Sequence, residues 1–208
     1  MKLNKPKISY VDDKLLIESY QENEFYNCKF TENVKENIEI SNVTFDSCIF
    51  EKIDFSNIEL DNIDMVDVIF DGCDLSNKTF NSKMFSRIEF RNCKMVGVNF
   101  IDCSLRDILF SNCNLKYLNC STSKLSNISF EKSELSDASF MELEVKNLEL
   151  VDVNLYHAEF TRTKLVDVDF SSCDISNIMF DMYSLKGIIV DRFQCFNLVG
   201  MLGVKIKE

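Results

Sequence analysis

The amino-acid sequence predicts an all-β fold in which the chain winds as a four-sided coil of stacked strands, followed by a short C-terminal α-helix. From Phe25 to Val190, the 34 positions spaced five residues apart are apolar, with Lys35 the single exception. The residue two places before each is usually small or apolar, and the residue two places after is often Asn, Asp or Gly. A helix repeats every 3.6 residues and a strand every two, so a period of five fits neither.

This period indicates a chain that turns a corner every five residues and faces two residues of each unit inward. Asn, Asp and Gly suit such corners because they accept the backbone conformations of tight turns. Four units close one coil of 20 residues, and stacked coils pair like strands roughly 4.8 Å apart. Phenylalanines then stack in the core at intervals of 20, as in the series Phe30, Phe50, Phe70, Phe90, Phe110 and Phe130.

The nine cysteines raise the question of a metal, redox or disulfide site. Eight of them fall on inward positions of the repeat: Cys28, Cys48, Cys73, Cys93, Cys103, Cys113, Cys120 and Cys173. We expect these thiols to fill slots that need a small, slightly hydrophobic side chain. The sequence has no C-x2-C pair of the kind that binds zinc, and its single histidine, His157, takes an outward position. It therefore predicts no metal site, no cofactor and no enzyme.

The repeat divides the chain into a cap (1–22), a β-helix (23–190) and a C-terminal helix with a short strand (191–208). Two places in the β-helix are uneven. Asn33 and Lys35 occupy inward positions in one coil, and Lys78 and Lys83 do so in another. A lysine does not stay buried without a partner, so either the coil bulges or the lysine side chain reaches out to water. These coils are either contact loops or tolerated defects.

The C-terminal segment carries more apolar surface than one cap requires, and Asp191 is a suitable N-cap for a helix there. Solenoids need a cap over the last coil. The surplus predicts a homodimer, with these residues at its interface: Phe193, Phe196, Leu198, Val199, Leu202, Val204 and Ile206.

The chain is acidic, with a net charge of −11. This charge argues against direct nucleic-acid binding and against adhesion to an anionic membrane. No apolar run is long enough to cross a membrane and the N-terminus lacks a signal-peptide core, so we expect a cytoplasmic protein. Nine acids form a belt with Lys52 as the one base between them: Asp46, Glu51, Asp54, Glu59, Asp61, Asp64, Asp67, Asp71 and Asp74. The belt either mimics DNA phosphates toward a basic partner or is a solvated surface.

The units CDLSN (73–77), CSLRD (103–107), CNLKY (113–117) and AEFTR (158–162) resemble the pentapeptide repeat family. That resemblance implies a right-handed quadrilateral β-helix. The ending GIIVDRFQCFNLVGMLGVKIKE (187–208) resembles that of the Qnr-type fluoroquinolone-resistance proteins, in which this segment forms a tail-to-tail dimer, although Arg192 stands where a proline is often found.

The Qnr-type resemblance implies a DNA-mimicking protein that engages DNA gyrase or topoisomerase IV and modulates quinolone action. The alternative is a structural or scaffold module that binds another protein and has no gyrase activity. Outward apolar residues on one face, Ile49, Ile69 and Leu109, suit such a contact.

Overall fold

A computed structural model describes residues 2–16, 22–201 and 203–205. It confirms a parallel β-solenoid of five-residue units with one short helix near its C-terminal end. Twelve strands are assigned in the described residues: β1 (Asp12–Asp13), β2 (Glu24–Tyr26), β3 (Cys28–Phe30), β4 (Ile38–Ser41), β5 (Thr44–Asp46), β6 (Ile49–Glu51), β7 (Ile58–Asp61), β8 (Asp64–Asp71), β9 (Met84–Arg91), β10 (Ser104–Ser111), β11 (Lys124–Glu131) and β12 (Glu144–Val151). A 3-10 turn covers Phe55–Asn57, and the helix α1 covers Gln194–Met201.

The long strands β8 to β12 pair in sequence order, and every pair is parallel. Their partners lie 20 residues apart, as Leu105 with Leu125 and Phe110 with Phe130 show. At most corners the residue two places after the multiple-of-five position takes a positive φ, such as 54° at Asp67 and 61° at Asn77. Asn and Asp tolerate this left-handed conformation better than most residues do. The period read from the sequence therefore sets both the register and the corners.

The core consists of the inward ladders. Phe50, Phe70, Phe90 and Phe110 are at most 2% exposed. Successive rings in this ladder stack with centroids 4.8 to 5.0 Å apart and planes within 10° of parallel. That spacing is the distance between paired strands, so the backbone ladder places the rings in offset contact.

The inward cysteines are hydrogen-bond donors as well as fillers. The Cys48 thiol donates to the Phe25 carbonyl at 3.3 Å, 23 residues earlier. Hydroxyls take the same role where Ser or Thr replaces Cys: the Ser123 Oγ lies 2.6 Å from the Phe100 carbonyl. Burial raises the pKa of Cys48 to about 12, so this thiol stays protonated and able to donate. The prediction that these positions need only a small, slightly hydrophobic side chain was thus incomplete, because the position also faces a backbone carbonyl that accepts a hydrogen bond.

The first uneven coil bulges, and the inward assignment of Asn33 and Lys35 is wrong. Val34 is 5% exposed and enters the core, whereas Asn33 and Lys35 are exposed. The Asn33 side chain replaces regular pairing, because its Oδ1 accepts from the Asp54 amide at 2.6 Å. Its Nδ2 donates to the Lys52 carbonyl at 3.3 Å. The side-chain amide thus holds the bulge against the next coil.

The second uneven coil keeps its register, with Thr79 bridged to Asn99. Lys83 occupies a position that faces inward in most units, but its side chain extends to polar side chains of the preceding coil. Its Nζ donates to the Asn62 amide oxygen and lies 3.7 Å from Asp64 Oδ1. This is the outward-reaching geometry that a lysine at such a position requires.

The N-terminal residues do two things. Strand β1 pairs with β3 at the edge of the first coil, with Asp12 opposite Cys28. Residues 2–10, here called the N-terminal strap, run along the side of the solenoid instead. Asn4 bonds to Asp107 and Lys7 bonds to Asp67, at sequence separations of 103 and 60 residues. The sequence pattern did not predict this path.

The helix α1 caps the last coil through two residues one turn apart, Gln194 and Leu198, which are 8% and 9% exposed. The Asp191 carboxylate accepts the Gln194 amide at 2.8 Å, and the Gln194 side chain accepts the Asp191 amide at 2.9 Å. This reciprocal pair is a capping box. Val204 has no strand pairing in the described part of the chain, and Leu202 and Ile206 lie outside the described residues.

Candidate protein-binding surfaces

The nine acids of the belt lie on the outside of the second and third coils, but neighbouring coils supply cations to four of them. The ion pairs are Glu51 with Lys29 at 2.7 Å, Asp64 with Lys83 at 3.7 Å, Asp67 with Arg87 at 2.5 Å and Asp74 with Lys94 at 2.8 Å. Counting these four and Lys52, nine negative and five positive charges leave −4 rather than the −8 read along the sequence. The belt is therefore less acidic in space than in sequence.

Asp67 is the most enclosed of the nine acids, at 6% exposure. Its two oxygens accept a bidentate pair of bonds from Arg87, at 2.5 and 2.7 Å, and Oδ1 also accepts the Lys7 amide at 2.9 Å. Burial opposes ionisation of this carboxyl, but these bonds outweigh burial and hold its pKa below the usual range. Asp67 is thus committed to holding the N-terminal strap and is not open to a partner.

Asp107, two coils further along the same corner, holds the strap in the same way. It accepts the Asn4 amide at 3.3 Å and the Asn4 side chain at 3.1 Å, and it is 5% exposed. Burial again opposes ionisation, and the hydrogen bonds from Asn4 and Asn127 lower its pKa. Sequence reasoning missed Asp107 because it lies outside the acidic belt.

Glu59 and Asp61 are members of the belt that stay open to a partner. Both are exposed, and among the described residues no cation lies within ion-pair distance of either. Strand pairing places Glu39 directly beside Glu59 in the preceding coil. These three carboxylates form a patch on one face, which we call the acidic patch.

The C-terminal end carries a second candidate surface. Phe193, Phe196 and Val204 are 64%, 60% and 52% exposed, and Val199 is half-buried. A groove of about 510 Å3 runs between α1 and the last coil, lined by Met182, Leu185, Lys186, Ile188, Val190, Cys195, Leu198 and Val199. Of the predicted interface residues that are described, Leu198 is buried against the solenoid, Val199 is half-buried in the groove, and the other three are exposed.

The outward apolar column is broken. The register places Glu89 between Ile69 and Leu109. Glu89 is 5% exposed and accepts a bond from Arg91 at 2.8 Å. Ile49, Ile69 and Leu109 are half-buried rather than exposed. They do not form a continuous apolar stripe.

Within the described residues, no group of three or more His, Cys, Asp or Glu side chains is placed to bind a metal ion. His157 is half-exposed at a corner, with its Nδ1 3.5 Å from Asp137 Oδ1. None of the helices described has the length and apolar character that a membrane crossing needs.

The fold defines a solenoid of five-residue units, and comparison with known families agrees. A pentapeptide repeat region profile matches residues 63–140, and a second profile of eight pentapeptide repeat copies matches residues 39–77 and 146–181. Together they cover most of the chain, which belongs to the pentapeptide repeat family. No protein with a curated description matches the sequence significantly.

Several solved structures resemble the solenoid in fold. A trypsin-treated form of QnrB1, described as a plasmid-mediated fluoroquinolone resistance protein, is 21% identical, with 96% of this chain and 98% of that one covered and a TM-score of 0.47. Full-length QnrB1 is 24% identical over 87% and 90% of the two chains, with a TM-score of 0.42. HetL, involved in heterocyst differentiation regulation in the cyanobacterium Nostoc, is 13% identical over 84% and 95%, with a TM-score of 0.34.

Proposed function

We propose that this protein is a non-catalytic binding protein that mimics DNA toward a type II topoisomerase, DNA gyrase or topoisomerase IV, and modulates quinolone action. The observation that carries the proposal is the acidic patch, whose carboxylates face water with no described cation within ion-pair distance, on a chain of net charge −11. A basic DNA-binding groove attracts such a surface electrostatically. The Qnr-like C-terminal sequence supplies the choice of partner.

We further propose that the functional unit is a homodimer joined through the C-terminal end. Phe193 just before α1 and Phe196 on α1 are exposed, while the other side of this helix caps the solenoid. Large exposed aromatic residues in a cluster mark interaction sites, since aromatic anchors dominate interface energetics. Sedimentation velocity tests the dimer. Phe193→Ser with Phe196→Ser should give monomers, whereas Met84→Ser with Tyr117→Ser, which removes exposed apolar side chains elsewhere, should leave dimers.

Gyrase supercoiling, titrated with the purified protein in the presence and absence of ciprofloxacin, tests the partner. Inhibition or rescue at low micromolar protein supports the proposal. Glu59→Gln with Asp61→Asn should weaken the effect, whereas Asp13→Asn with Glu24→Gln removes the same charge outside the acidic belt and should not. An equal loss in both variants would show that net charge alone acts.

The second candidate is a scaffold module with no gyrase activity. The ion pairs that cut the belt from −8 to −4 favour it, because they weaken the resemblance to a DNA backbone. A folded protein that has no effect on gyrase at tens of micromolar supports this candidate, and its partner is then sought by affinity capture.

A further inference from the structure

The ladder of long strands opens at β12. Strands β9, β10 and β11 are each paired on both sides, whereas β12 pairs with β11 alone among the described residues. The period places residues 164–171 opposite β12, and these residues form turns and one isolated bridge, from Asp169 to Ile189 in the following coil, rather than a strand paired with β12. On another side of the same coil the pairing continues, since the Leu155 amide donates to the Asp174 carbonyl at 2.8 Å. The solenoid is thus split along one side.

Backbone groups of β12 lack the bonds that their counterparts make. In the preceding coil, the Lys132 amide donates to the Val151 carbonyl at 2.8 Å. By the same spacing of 19 residues the Asn147 amide would reach the Val166 carbonyl, but within residues 144–171, all of which are described, it makes no such bond. The Leu150 amide likewise has no bond to the following coil. An unpaired row of this kind is a template for another strand.

Side chains close the two ends of the split. The Leu143 amide donates to the Thr163 hydroxyl at 3.0 Å, and the Asp152 amide donates to the Ser172 hydroxyl at 3.2 Å. The Ser172 hydroxyl replaces the kind of carbonyl that accepts the Lys132 amide one coil earlier, and the Thr163 hydroxyl accepts an amide as the Ser123 hydroxyl does from Cys103. They hold the two coils together on either side of β12, so the split is bounded at both ends.

The split forms a groove of about 770 Å3 that takes its walls from both coils. Val151 and Val166 are 38% and 45% exposed in its lining. Val145 is half-buried, although Leu125, its partner in the preceding coil, is 2% exposed. The groove has the size of a ligand site and an apolar floor beside an open strand edge.

We propose that the open edge of β12 binds an extended segment of another protein, with alternating apolar and basic residues, as an additional parallel strand. The edge selects extended backbone, because strand addition is driven by main-chain hydrogen bonds. The exposed valines select apolar side chains at alternate positions. Because successive side chains of a strand point to opposite faces, every second residue of the bound segment would face the valines.

The charge of the groove favours basic residues at the other positions of the bound segment. Three acids line the groove, Glu149, Asp167 and Asp169, against two bases, Lys2 and Lys164. The chain itself provides a precedent on the same side of the solenoid. The N-terminal strap carries three lysines at positions 2, 5 and 7, and its Lys2 lines the groove. Asn4 and the Lys7 backbone amide hold the strap to Asp107 and Asp67, which stand in the same corner column as Asp167.

The test uses the full chain and a fluorescent, end-blocked heptapeptide in which lysine and valine alternate. We expect saturable binding by anisotropy, together with slower hydrogen exchange at the Asn147 and Leu150 amides. Asp167→Lys should weaken binding about fivefold or more, the effect of at least one exposed ion pair. Lysine is compatible with this corner, because Lys52 and Lys132 hold equivalent positions with φ of 57° and 48°. Glu32→Lys makes the same charge change at an exposed position of the first coil, away from the groove, and is the matched control.

Two further peptides separate strand addition from simple charge attraction. A version with N-methylated backbone amides should lose binding, and a version with glutamate in place of lysine should bind more weakly. Equal binding of the N-methylated peptide, equal weakening by Asp167→Lys and Glu32→Lys, or no binding of the parent peptide at millimolar concentration would each overturn the proposal.

Discussion

Replacing Gln194 by methionine isolates the hydrogen bonds that fasten the C-terminal cap. The Gln194 side chain is nearly buried and makes three bonds to backbone groups. Its Nε2 donates to the Phe170 and Cys173 carbonyls at 2.9 and 2.8 Å, and its Oε1 accepts the Asp191 amide at 2.9 Å. Methionine has a similar length and shape but offers none of these bonds. The Cys173 carbonyl and the Asp191 amide then lose their partner, and the Phe170 carbonyl keeps only the Cys173 amide.

At about 1 kcal/mol for each lost bond, Gln194→Met should destabilise the cap by about 3 kcal/mol. Because units of a solenoid unfold partly independently, the loss should appear first as local opening of the last coil. Native-state hydrogen exchange at the amides of α1 measures that opening, and urea unfolding measures the global effect.

The matched control is Asn197→Met, which exchanges the same functional group on the exposed side of the same helix and should change stability by less than about 0.5 kcal/mol. If Gln194→Met cost less than about 1 kcal/mol, or no more than the control, then the cap would not depend on these bonds and the reasoning would be refuted.

Three further outcomes follow from the same geometry. Thr163→Val removes the hydrogen bond to the Phe140 carbonyl at 2.7 Å and the one from the Leu143 amide at 3.0 Å, and it should lower the free energy of unfolding by about 2 kcal/mol. Thr163→Ser keeps the hydroxyl and should retain most of that stability, as measured by urea titration. The pKa of Asp67 is lowered in the folded protein, so its bonds add stability above the unfolded pKa near 4, and this stability is lost as the pH falls below that value. In Asp67→Asn the urea midpoint should therefore fall less steeply between about pH 5 and 2 than in the parent protein. A thiol reagent should label Cys195 rapidly and the eight buried cysteines only in denaturant, and rapid labelling of more than one thiol would contradict the packed core.

The sequence predicted the solenoid because every inward residue repeats one environment. Leu105 and Leu125, or Phe110 and Phe130, face the same neighbours one coil apart, so a period of five in sequence becomes a ladder in space. The bulge escaped this reasoning. Counting by five assigned Lys35 to the core, but the side chain of Asn33 takes over the pairing and Val34 turns inward instead.

The N-terminal strap was not predictable by period, because an extended segment that crosses the coils carries no repeat of its own. Asn4 and Lys7 meet acids 103 and 60 residues away, and nothing local to either residue encodes that distance. The split at β12 was hidden for the opposite reason. Val145 and Leu150 keep the apolar pattern of a closed coil although the next coil does not pair with them.

The charge of the acidic belt shows how a solenoid separates sequence from space. Along the chain, Asp67 and Asp74 stand among acids, and a local count gives them no cation except Lys52. In the fold, their neighbours are the residues 20 places on, and there Arg87 and Lys94 lie within 2.8 Å. A charge pattern in a protein of this class has to be summed over residues one coil apart before it is compared with a DNA backbone. By that sum, Glu59, with Glu39 rather than a cation beside it, is a better candidate for a partner contact than Asp67.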